Sequence, residues 1–88
     1  LSPTKLQEYK MDEITAEEIA QHYVAMGHSV DLINAIIAGD HDETMDADER
    51  ADCVSRNVEH LEIMVAKDFW TSEDMTAANA AITAGKAY

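Results

Sequence analysis

Asp46–Val65 reads DADERADCVSRNVEHLEIMV, and within it Ala47, Ala51, Val54, Val58, Leu61 and Val65 recur at intervals of four, three, four, three and four. That spacing gathers one apolar stripe on one side of a helix, whereas a half-buried strand would alternate. It predicts packing against another helix along the full length of the seam. Asp46 with Glu49 three residues later supplies the cap-plus-acid pattern of a helix start. Six positions are too few for a coiled coil, so the seam points first to an intramolecular groove and second to self-association.

Other helix starts and stops fall on both sides of this segment. Downstream, Thr71 with Asp74 begins a final helix, and Trp70 and Met75 occupy hydrophobic-staple positions. Trp70 is therefore expected to cover the corner between the third and fourth segments instead of gripping a ligand. Met75, Ala78, Ala81, Ile82 and Gly85 form a small-residue face that permits close backbone approach. Upstream, Thr15 with Glu18 caps a helix that carries Ala16, Ile19, Ala20, Tyr23 and Met26, with Ile14 and Ile19 as its staple. Gly27 is expected to close that helix and Ser29 to cap a second one. The second carries Val30, Ile33, Ile36 and Ile37 and stops at Gly39, before the polar run Asp40–Thr44. The expected fold is all-α, a small up-and-down bundle of three to four helices. Its third segment is the longest and most central.

The 88 residues read as a single acidic helical domain, 1–88, with 1–13 a loosely attached N-terminal segment. There is no internal repeat and no linker. Met11 opens a segment, MDEITAEE, that reads like a native start, which makes Leu1–Lys10 upstream sequence or a processing remnant. Folding at this size hides only about 60% of the unfolded chain's surface, so modest stability is expected. Fourteen of the apolar residues are alanines, leaving sixteen Leu, Ile and Val to build the core.

Charge excludes more than any motif does. Met11–Glu49 holds eleven acidic residues and no Lys or Arg, and the chain's formal charge is −12. Neutralising phosphates requires clustered cations, so direct nucleic-acid binding and anionic membranes are excluded for this half. Salt should stabilise the fold. Val30–Ala38, the longest mainly apolar run, is too short to span a bilayer and contains Asp31 and Asn34. No signal peptide is recognisable, and Cys53 is alone. The latter reads as a small buried helix residue in a chain suited to a reducing compartment. A cytoplasmic location is expected, that of the host cell if the protein is viral.

Individual motifs fare poorly. Asp40, Asp42, Asp46 and Asp48 alternate like the ligands of a calcium loop, but Met45 stands where the turn needs glycine and Ala51 where a bidentate Glu should close the site. The loop reads as solvated acid before a helix N-terminus, with weak divalent-cation binding as its alternative use. His22, His28, His41 and His60 lack zincin or di-iron spacing, and Glu18 and His22 read as a one-turn salt bridge. No nucleophile set, phosphate loop or dinucleotide fingerprint is present, so no catalytic residue and no cofactor is expected.

Three local resemblances lead no further. Glu59/Glu62 and Glu49/Asp52 are similar to the ExxE and ExxD acids with which all-helical nucleotide pyrophosphohydrolases hold Mg²⁺, but in reversed order and without the helix between them. Gly27, Ile33 and Ile36 fall at helix-turn-helix spacings, yet Tyr23 replaces the motif's alanine and the would-be recognition helix offers only Asp31 and Asn34. Met26-Gly27-His28 resembles the Met-Gly-Phe loop of ubiquitin-associated domains in two residues of three, with His28 in place of the contacting aromatic. A wider likeness covers about half the chain. Ile14–Ile37 and Lys67–Tyr88 look like small uncharacterised proteins of marine cyanobacterial phages, a resemblance that implies a viral or metagenomic origin and carries no activity.

The function expected is a non-enzymatic helical interaction module that docks on a basic protein surface or self-associates as a homodimer. Candidate contacts are Asp12, Glu13, Glu17, Glu18, Asp42 and Glu43 for a basic partner, and Val54, Val58, Leu61 and Val65 for a second copy. The alternatives are a nucleic-acid mimic that blocks a host DNA-binding protein and a weak divalent-cation binder.

Overall fold

The computed structural model describes residues 14–88, and every described element is helical: α1 (Ala16–Ile37), α2 (Ala47–Val65) and α3 (Ser72–Lys86). Each helix packs on the other two. The expectations for residues 1–13, including the candidates Asp12 and Glu13, lie outside the described residues.

The expected break at Gly27 is absent. α1 runs 22 residues without interruption, so the first two expected segments are one helix and Ser29 is no cap. The reason is register. Met26, Ser29, Val30, Ile33 and Ile36 continue a single buried stripe through the glycine. A mid-helix glycine costs about 0.5–1 kcal/mol relative to alanine, while each large apolar side chain kept buried contributes about 1.5–3 kcal/mol. Ile33, wholly buried at 0% exposure, settles the balance. At α1's 22 residues against 19 for α2, the longest helix is also not the one the seam suggested.

α1 does stop at Gly39, which has φ +83°. Asp40 N donates to Ala35 O at 2.8 Å and Gly39 N to Ile36 O at 3.1 Å, the paired bonds of a Schellman closure. α2 then begins at the Asp46–Glu49 capping box and α3 at the Thr71–Asp74 box, both formed reciprocally. Thr15 caps α1 by accepting from Glu18 N at 3.1 Å, but the Glu18 carboxylate accepts from the Thr15 hydroxyl instead of completing a box through the backbone.

The α2 seam enters the core only in part. Val54, Val58, Leu61 and Met64 are buried, Val65 is half-buried, and Ala47 and Ala51 are exposed. At the end of α2, beside the Trp70 corner, the buried side passes to Met64 instead of Val65. Toward its end α3 lies very close to α2. A Cβ on Gly85 would collide with Val58 Cγ2 and approach Val54 Cγ1 to 3.3 Å, so the small-residue face of Ala78, Ala81 and Gly85 sets the interhelical distance. Trp70 is buried in the α2–α3 corner, as its staple position predicts, and its Nε1 donates to Met64 O at 2.8 Å.

Candidate functional site

The carboxylates of the 40–52 region act one at a time. Asp42 accepts from both the backbone N and the hydroxyl of Thr44 at 2.8 Å, and Asp46 accepts from Glu49 N at 2.8 Å. The Thr44 N–H holds the Asp42 carboxyl below the usual carboxylate range, and the Glu49 N–H does the same for Asp46. Asp40 and Asp48 are exposed and are not drawn into a ligand set: among the described residues no three His, Cys, Asp or Glu side chains are grouped to hold a metal ion. Asp52 pairs with Arg56 at 2.7 Å and Glu62 with Lys86 at 3.0 Å, while Glu49 belongs to its capping box. Three of the four acids that resemble a Mg²⁺ set are thereby engaged in other contacts, and Glu59 is exposed.

Histidine placement departs from the sequence reading. His22 stacks on Phe69, ring centroids 6.0 Å apart at 24°, in place of a salt bridge to Glu18. His60 Nδ1 lies 2.7 Å from the Oγ of Ser29, a buried polar side chain on the inner stripe of α1. Ser29 thus ties α1 to α2 and meets the hydrogen-bonding demand created by its burial. The signal that could have found the pair is Ser29's place in a continuous Met26–Val30–Ile33 stripe, which the expected break at Gly27 divided.

Of the seam residues, Val54, Val58 and Leu61 are at most 7% exposed and are spent on the chain's own core, leaving them no free surface for a second copy. Glu17, Glu18, Asp42 and Glu43 are all solvent-exposed.

The feature that sequence reasoning missed is a groove along the outer edge of α1 where it meets the start of α3. One part is bounded by Ile19, Ala20, Tyr23, Val24, Trp70 and Asp74, and it continues past Tyr23 over Met26, Gly27, Val30, Asp31 and Ala77. Its lining is mostly apolar, with Val24 72% and Tyr23 51% exposed. Tyr23 packs near Trp70, centroids 6.1 Å apart, and Trp70 on Phe69 at 4.7 Å, so an aromatic ladder runs from the groove's edge to Phe69. A second depression, around Ile14, His22, Ile63 and Phe69, has Lys67 and Asp68 on its border. The signal for the first groove was the breadth of the apolar arc on α1. Ala16, Ala20 and Val24 lie beside Ile19, Tyr23 and Met26 and make a face wider than the stripe the core buries.

Comparison with known proteins gives no match to any family model, curated protein or solved structure. The class of the protein is accordingly that of its architecture, an all-α bundle of three helices in the described residues. None of those helices is long and apolar enough to cross a membrane.

Proposed function

We propose that this chain is a non-enzymatic acidic interaction module that docks on a basic protein surface in the cytoplasm of its host cell. The observation that carries the reading is the distribution of cations. Arg56 and Lys86 are paired with Asp52 and Glu62, Arg50 donates to Met45 O at 2.7 Å, and all lie on α2 or α3. α1 carries Glu17, Glu18 and Asp31 on exposed positions and no Lys or Arg at all. Its field therefore projects into solvent, where it steers cationic partners and repels anionic ones. The resemblance to phage proteins adds the proposal that the partner belongs to a bacterial host.

The test is affinity capture from host lysate with wild type and with a variant carrying Glu17→Gln, Glu18→Gln and Asp31→Asn. Basic proteins should be retained by wild type, released by added salt and lost from the variant. An identical retained set on both baits would overturn the reading.

A further inference from the structure

The α1–α3 groove is an apolar trough bordered by acid. From Ala16 to Asp31 it follows sixteen residues of α1, a rise of about 22 Å, or roughly four turns of a docked helix. Asp31 and Asp74 stand on its lining, Glu17 and Glu73 adjoin its upper end in sequence, and no Lys or Arg contributes to it. An apolar floor with a one-signed border fits a ligand with one apolar face and cationic flanks.

We infer that this groove binds a cationic amphipathic helix of a partner protein, its apolar face over Ala20, Val24 and Tyr23 and its Lys or Arg side chains toward Asp31 and Asp74. The inference rests on the proposed docking to basic proteins and gives that docking an address. The neighbouring depression at Ile63 is a poorer fit, since Lys67 borders it. A second copy of this chain is a poorer occupant too, because it would bring another −12 molecule with its own Asp31 and Asp74 against the first. Docking over the groove covers two of the largest exposed apolar side chains of α1, Val24 and Tyr23.

The probe is a synthetic helical peptide of Leu and Lys in amphipathic order, with a same-composition scrambled peptide as control. Trp70 is the chain's single tryptophan and lines the groove, so its emission reports occupancy directly, with no contribution from either peptide. Binding should be salt-sensitive, should shift Trp70 emission and should exceed that of the scrambled peptide. Ala20→Glu and Val24→Glu are the decisive variants, both at exposed positions where the fold tolerates a charge, which an unchanged circular dichroism spectrum would verify. Each makes the protein more acidic, so a purely electrostatic surface would bind the cationic peptide more tightly. The groove predicts the opposite, a loss of about tenfold or more. Equal or tighter binding by both variants, or equal binding of the scrambled peptide, would overturn the groove while leaving the acidic docking face standing. A dimer in sedimentation that dissociates with Val24→Glu would overturn it in favour of a second copy. No binding of either peptide at low salt would overturn both readings together.

Discussion

Gly27 and Gly39 stand twelve residues apart in the same helical run, and only one of them ends a helix. Gly39 takes φ +83°, the paired Schellman bonds close over it, and the polar residues Asp40–Thr44 come next. Gly27 stays within α1, with open space where a side chain would stand. Glycine permits a stop at both places, and the residues downstream of each decide between them. After Gly27 the apolar stripe resumes in phase at Val30, Ile33 and Ile36, and leaving the helix would withdraw all three from the core. After Gly39 nothing remains to bury until Met45, which is half-buried against the core, so the chain is free to turn.

The largest test of this contrast is Gly27→Pro. In a continuous helix proline removes an internal hydrogen bond and clashes with the preceding turn, so a loss of about 3 kcal/mol or more is expected in urea unfolding. A near wild-type midpoint would break the comparison. Gly39→Ala should come next, losing about 1–2 kcal/mol because a Cβ is strained in the left-handed region; an unchanged midpoint would mean the Schellman closure contributes nothing. Gly27→Ala has the opposite sign. It should stabilise by about 0.5–1 kcal/mol, since nothing lies within 4 Å of the new Cβ, and a thermal melt that falls would show that Gly27 needs its conformational freedom after all.

The smallest effect separates the two sites by pH. The Gly39 turn leads into Asp42 and Asp46, whose carboxyls are held below the usual range by the N–H groups of Thr44 and Glu49. A depressed folded pKa contributes stability that is fully present above the unfolded value and is lost as pH falls through the folded one. Thermal melts should therefore decline below about pH 4, and Asp46→Asn should flatten part of that decline. Acid limbs of the same slope in wild type and variant would show that the Asp46 cap has no share in it.

Much of the fold was legible in the chain. The caps at Thr15, Asp46 and Thr71 are local hydrogen bonds between neighbours in sequence, and Trp70's place comes from its offset to Thr71. The small face of α3 was visible for the same reason, because Ala78, Ala81 and Gly85 fall on one side of a helix whatever it meets. The groove was less legible. Dividing α1 at Gly27 gave Tyr23 and Met26 to one short helix and Val30 to another, which hid the single long edge that they share. The acids of the 40–52 loop alternate like ligands but read as solvated, because the turn glycine and the closing Glu are missing, and the geometry gives Asp42, Asp46 and Asp52 each a different neighbour.

By itself the sequence determined the helical class, the three capped starts, the stop at Gly39 and the acid-rich first half, all of which depend on residues within one or two turns of each other. Only the tertiary structure decided that α1 passes through Gly27, that Ser29 bonds His60, that Met64 displaces Val65 from the core and that Val24 stays outside. Those outcomes turn on which side of each helix finds a neighbour. Burial is a property of pairs of elements, and spacing along one chain fixes a face without saying what will cover it.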